Sequence, residues 1–169
     1  MSSPPKLVRD LMSVGVPTCA LNDLVVELAH WFLEKNIEGA VVLDEHGHGA
    51  GVVTHDELIK AYADGDYEQL TAQDVMRTDV PTMPPDIPLT AAAQIMQDMG
   101  VRVVYMTHHA GGIEYPAAYL TYKHLLRHLA AQDEEELKDL GIKAEREAPL
   151  ETFFRRRDEA LRRARSGRK

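Results

Sequence analysis

The chain has 169 residues, 44% of them apolar and 27% charged, which suits one globular domain or two small ones sharing a core and excludes a disordered or fibrous class. Its formal net charge of −8 argues against a polyanion binder as a whole, and its one cysteine, Cys19, excludes an internal disulfide and fits a reducing compartment. No apolar run reaches membrane-spanning length and Met1 to Lys6 lack the apolar stretch of a signal peptide, so a cytoplasmic protein without a membrane partner is expected.

In chain order, a short helical turn is expected to end at Met12, and Pro17 separates it from an extended segment, Thr18 to Ala20. Cys19 in that segment reads as a small core hydrophobe. Val25, Leu28, Ala29, Phe32 and Leu33 share one face of a helix, and Asn36 stands where a left-handed C-cap is needed. Two buried strands, 40–43 and 50–53, flank the turn from Asp44 to Gly49, and a helix over 55–63 closes the set. Asp64-Gly65-Asp66 then begins a linker.

The same order follows a second time. A helical turn ends at Met76, Thr82-Met83 is extended among prolines, and a helix starts near Pro88 with Leu89, Ala92, Ala93, Ile95, Met96 and Met99 on its apolar positions. Gly100 is its C-cap. Strands at 101–106 and 117–120 flank a turn from His108 to Gly112, and a last helix spans 122–131. The class is α/β, with strands buried on both faces. Beyond it, residues 133–151 carry a net charge of −5 and residues 155–169 one of +6. This charged tail, 133–169, reads as helical, with Leu150, Phe153, Phe154 and Leu161 on one stripe.

The repeat is literal. Asp10-Leu11-Met12-Ser13-Val14-Gly15-Val16-Pro17-Thr18 returns as Asp74-Val75-Met76-Arg77-Thr78-Asp79-Val80-Pro81-Thr82, a shift of 64 residues. Gly51-Val52-Val53-Thr54 aligns with Ala118-Tyr119-Leu120-Thr121 after three inserted residues. Two such copies point to a pseudo-symmetric pair rather than a solenoid.

This ordered set of motifs resembles a tandem CBS-domain pair, the Bateman module, with one motif over 7–64 and the other over 71–131. The resemblance implies two pseudo-symmetric β-α-β-β-α motifs packed through their sheets. It also implies clefts for an adenosine-containing ligand (AMP, ADP, ATP or S-adenosylmethionine), a homodimer, and regulation of a partner protein. The family's Gly-x-x-Thr/Ser-x-x-Asp segment places a hydroxyl at a helix start, suited to phosphate, and a carboxylate one turn later, suited to the ribose diol.

Copy one supplies Thr54 and Glu57, a glutamate standing in the aspartate's place; copy two supplies Thr121 and His124, with Ala118 in the glycine's place. An imidazole offers at most one acceptor, so a ribose clamp at His124 is the weaker expectation. The resemblance places adenine against Val16 and Thr18, or Val80 and Thr82, with Ile37 or Val101 closing the cleft. Arg102 and Lys123 are candidates for phosphate charge. Each of these residues also has a plain structural role open to it: threonine as N-cap, glutamate as a first-turn acid, the apolar residues as core.

Other chemistries find less support. His46, His48, His108 and His109 fall in turns and would bind metal only if assembly brought the turns together; no metal site and no catalytic cofactor are assigned. No phosphate loop, His-Glu-x-x-His motif, nucleophile elbow or cysteine pair is present, so no enzyme activity is expected. Two alternative functions stand beside ligand sensing. In one, the pair is a scaffold with vestigial clefts that presents its tail to a partner. In the other, Arg155 to Arg157 and the basic residues that follow contact nucleic acid, which the acidic segment before them argues against.

Overall fold

The computed structural model describes residues 4–131, 135, 157–159 and 162. The expected tail helix over 133–169 lies almost wholly outside them. The elements are α1 (Val8–Leu11), β1 (Ser13–Val14), β2 (Thr18–Ala20), α2 (Val25–Lys35), β3 (Gly39–Leu43), β4 (Gly49–Thr54), α3 (His55–Asp64), a 3-10 turn (Tyr67–Gln69), α4 (Ala72–Val75), α5 (Leu89–Met99), β5 (Val103–Ala110), β6 (Ile113–Thr121) and α6 (Tyr122–Ala130).

Two compact units emerge, and their boundaries cut through the repeats rather than between them. One unit runs from Val16 to Val80; the other comprises the chain up to Gly15 and resumes at Pro81.

In the Val16–Val80 unit the sheet order is β2-β3-β4, with β2 parallel and β4 antiparallel to β3. Cys19, Ala40, Val42 and Val53 pack with Val25, Leu28 and Phe32 of α2 and with Leu58 and Ala61 of α3. Burial of side chains such as Leu28 and Phe32 stabilises the unit by about 2 kcal/mol each. Helix α2 ends on Asn36 at φ 53° and ψ 47°, the expected left-handed cap. A fourth sheet position is filled by one residue: Arg77 exchanges backbone hydrogen bonds with Val52, both at 2.9 Å.

The other unit repeats this plan with the lengths redistributed. Its sheet is β1-β6-β5, all antiparallel, with Ser13 opposite Tyr119 and Val14 opposite Ala118. Thr82 makes a parallel bridge to Tyr105, in the place β2 takes in its counterpart. It stays a bridge because Pro84 and Pro85 follow at once and supply no N–H donors. Val8, Leu11, Leu89, Ala92, Met96, Val104 and Leu120 form the core.

Several expectations need correction. Strands β5 and β6 run through His108, His109 and Ala110, so their turn is only Gly111-Gly112, with φ of 59° and 78°. Paired positive φ values are what a two-residue hairpin needs, and glycine adopts them without strain. Leu33 on α2 and Ile95 and Met99 on α5 are exposed rather than in the core. Strand β1 was not anticipated.

Gly51 owes its small size to the Arg77 crossing. A Cβ there would overlap the Arg77 carbonyl oxygen and lie 3.0 Å from the Met76 sulfur. Gly51→Ala should destabilise the fold by about 1–3 kcal/mol in urea denaturation, since backbone must move. Gly49→Ala, whose Cβ would meet Val41 Cγ1 at 3.6 Å, should change stability by less than about 0.5 kcal/mol.

Candidate functional site

The site residues gather where a strand turns into a helix, once in each unit. Strand β4 ends at Thr54, whose backbone is extended, and α3 begins at the next residue. Its first N–H groups lack helical acceptors and must find others. The Thr54 hydroxyl oxygen accepts from the Asp56 N–H at 3.2 Å. Glu57 reaches back so that Oε2 accepts from the Thr54 N–H at 2.8 Å and from the Thr54 hydroxyl. This is a capping box, and it uses one of the two carboxylate oxygens. Among the described residues Oε1 receives no hydrogen bond.

The sheet register sets the surroundings of this cap. Gly39 pairs with Thr54, and the Val41 N–H donates to the Pro17 carbonyl at 2.9 Å. Carried back along parallel β2 and β3, that register puts buried Val16 and half-buried Ile37 at the same end of the sheet as Thr54. Thr18 is buried on β2 opposite Val41.

The fold adds Arg77, which the sequence reading did not single out. Its guanidinium holds Asp79 by two contacts, Nε to Oδ1 at 3.3 Å and Nη2 to Oδ2 at 2.7 Å. The hydrogen bond to Asp79 holds the Arg77 pKa above its ordinary value, with further attraction from Glu57 and Asp56. Asp79 is lowered by the same bond.

Copy two uses the same cap with a different side chain. The Thr121 N–H donates to His124 Nδ1 at 3.0 Å, and the Thr121 oxygen lies 2.9 Å from the same nitrogen. A backbone N–H can only donate, so Nδ1 is the unprotonated nitrogen and the neutral ring carries its proton on Nε2. Nε2 is 2.8 Å from Ser13 Oγ on β1 and therefore donates to it. A Ser-His contact of this length invites a nucleophile reading, but an Nε2 that already holds a proton cannot take one from serine. Burial drives the His124 pKa down to about 4, with Arg127 and Lys123 adding repulsion.

Around it, Val101 and Thr121 are buried, Lys123 is half-buried, and Arg102 and Thr82 are exposed. The Arg102 carbonyl accepts from the Tyr122 N–H at 3.1 Å, tying that loop to the start of α6. Val80 is half-buried and is the last residue of the other unit. Ser13 and Arg77 occupy one repeat position, directly after the repeated Asp-hydrophobic-Met, and that alignment was the available signal for both.

The remaining histidines part company. His108 stacks on Tyr115, and His109 lies 3.4 Å from Glu114. Among the described residues no cluster of three or more His, Cys, Asp or Glu is arranged to hold a metal. No described helix is long and apolar enough to cross a membrane.

Comparison with known proteins bears on the family and the fold. The CBS domain model matches residues 8–64 and 72–131. The chain belongs to the CBS-domain family. It is 31% identical over 93 residues to an L-aspartate semialdehyde sulfurtransferase of Methanocaldococcus jannaschii, covering 55% of this chain but 18% of that enzyme. It is 28% identical over 135 residues to an uncharacterised protein of Methanopyrus kandleri, covering 77% of this chain and 65% of the relative. The chain thus spans less than two thirds of the length of either relative. Among solved structures it resembles the CBS domain pair of protein MJ0100, seen in complex with 5′-methylthioadenosine and S-adenosyl-L-methionine, with a TM-score of 0.62 at 24% identity over 77% of this chain and 100% of that one.

The buried imidazole makes stability depend on pH. Its pKa is about 4 in the fold against an ordinary 6.5 for histidine, so between those values the unfolded chain binds a proton that the native one refuses. Stability should therefore fall as pH drops from 6.5 towards 4, by a total of about 3 kcal/mol, and the histidine should add no slope above 6.5. Urea midpoints at pH 7.5, 6 and 5 should show this, and His124→Gln should flatten the curve.

Proposed function

We propose that this CBS pair is a regulatory module that binds an adenosine-containing ligand, AMP, ADP, ATP or S-adenosylmethionine, and passes the result to a partner protein. The observation that carries the proposal is the Glu57 carboxylate. One of its oxygens caps α3, and the other has no hydrogen bond from a described residue. A carboxylate oxygen beside a helix start is a strong acceptor for ribose hydroxyls, and such charge-assisted bonds are about twice as strong as neutral ones.

In this reading Thr54 and the N-terminus of α3 receive the polar 5′ end of the ligand, while Val16, Thr18 and Ile37 contribute the adenine wall. Val80, Thr82, Val101 and Thr121 are the second set of candidate lining positions, and Arg102 and Lys123 are the candidate phosphate cations of that set. The complex of the MJ0100 pair with two adenosyl compounds supports this ligand class. A ligand shifts such a module only by its difference in affinity for two states, so binding must favour one arrangement of the pair.

The chain acts in this reading as a homodimer. Leu33, Ile59 and Tyr62 are exposed on α2 and α3, and Ile95, Met99, Leu126 and Leu129 on α5 and α6. Exposed apolar helix faces of this kind mark protein contact surfaces.

Two outcomes are expected. In calorimetric titration with AMP, ADP, ATP and S-adenosylmethionine, at least one ligand binds saturably, and Glu57→Gln, which keeps an acceptor for the cap but removes the charge, weakens it by about tenfold. Absence of binding across the panel would sink the sensor reading. In sedimentation, Leu129→Glu, at a residue 80% exposed, should shift a dimer towards monomer without lowering the melting temperature.

A further inference from the structure

The two copies build the same cap from side chains whose spare atoms differ in kind. Glu57 Oε2 and His124 Nδ1 do the same work, each accepting from the N–H of the threonine three residues earlier. What remains is a carboxylate oxygen in one copy and a protonated ring nitrogen in the other. That nitrogen is also occupied, since its proton goes to Ser13 Oγ at 2.8 Å. The partner position changed with it. Arg77, the repeat equivalent of Ser13, is a cation that attracts Glu57, whereas Ser13 is a neutral group that accepts from His124.

From this geometry we infer that the Ser13–His124 pair closes copy two to a ribose diol, so that the chain takes one nucleoside ligand, in copy one. The inference rests on the reading of Glu57 as ribose acceptor and adds the stoichiometry and the residue that sets it. A diol brings two hydroxyl protons, which a carboxylate accepts more strongly than any neutral group does. His124 has a single lone pair on the ring, and the Thr121 N–H and hydroxyl share it. Opening the Ser13 bond frees a neutral N–H donor and no anionic acceptor, so copy two lacks the spare carboxylate oxygen that Glu57 offers in copy one.

The pair also performs a structural task, fastening β1 to the start of α6 within one unit. Burial of the ring (5% exposed) and the edge-on contact of Tyr119, with ring centroids 5.8 Å apart, hold it in that orientation. An aspartate at this position would restore a spare acceptor without losing the cap. The chain itself demonstrates such a cap elsewhere: Asp74 Oδ2 accepts from both the N–H and the hydroxyl of Thr71, each at 2.8 Å.

The test is calorimetry on the full chain stripped of bound nucleotide, with S-adenosylmethionine and AMP as the probes. Wild type should bind one ligand per chain, Glu57→Gln should lose at least tenfold in affinity, and His124→Asp should bind two. Nitrogen-15 NMR of the wild-type imidazoles supplies a readout that needs no variant: the His124 Nδ1 should show the shift of an unprotonated nitrogen and Nε2 that of a protonated one at pH 7. Two equivalent ligands per wild-type chain, or the opposite tautomer, would overturn the inference while leaving the sensor reading intact. No binding of either probe would overturn both.

Discussion

A helix start must find acceptors for N–H groups that its own first turn cannot satisfy, and at the three helices that begin on a threonine the side chain at the third helical position meets part of that demand. Aspartate does so at Thr71, glutamate at Thr54 and histidine at Thr121. The requirement is thermodynamic and indifferent to ligand, because a lost cap costs about 1 kcal/mol whatever the helix is for. Recognition has to use what the cap leaves over. A carboxylate has an oxygen to spare and a neutral imidazole has a proton to spare, so one demand met in two ways leaves two helix starts of opposite hydrogen-bonding character.

The choice of residue at the cap runs together with the choice at the crossing segment. In copy one the Glu57 carboxylate and the Arg77 guanidinium attract one another. His124 sits where no acid occurs in the first turn and where Lys123 and Arg127 crowd it, and it stays neutral. A carboxylate in that second place would give up the bond donated to Ser13, and an imidazole in the first would find no serine to accept its proton. Each pair is internally consistent, which is the sense in which the copies have diverged.

Much of this was legible in the chain. The 64-residue repeat, the left-handed caps at Asn36 and Gly100, the buried Cys19 and the threonines at both strand ends all follow from local chemistry. What escaped was decided by distant neighbours. Ser13-Val14 is too short to show a strand pattern and becomes a strand only because Tyr119 and Ala118 lie opposite. His108 and His109 look like turn residues, yet a two-glycine turn lets the ladder run through them. Leu33, Ile95 and Met99 fit the helical spacing of a core face but lie outside the arc that the sheet covers. The contact of His124 with Ser13 is likewise visible only in the fold, because the two residues are 111 positions apart.

The exchange of segments between repeats carries a consequence for how the molecule is made. Ser13 leaves the ribosome early, but the strand it pairs with is centred on residues more than a hundred positions later, at Ala118 and Tyr119. The Val16–Val80 unit can close as soon as its own stretch has emerged. The unit completed by β1 must wait until Ala118 and Tyr119 have been synthesised. Contacts that span so much chain are slow to form and leave strand edges open meanwhile. The order of assembly is thereby written into the connectivity: the Val16–Val80 unit, which bears Glu57, can close before β1 meets its partner strand.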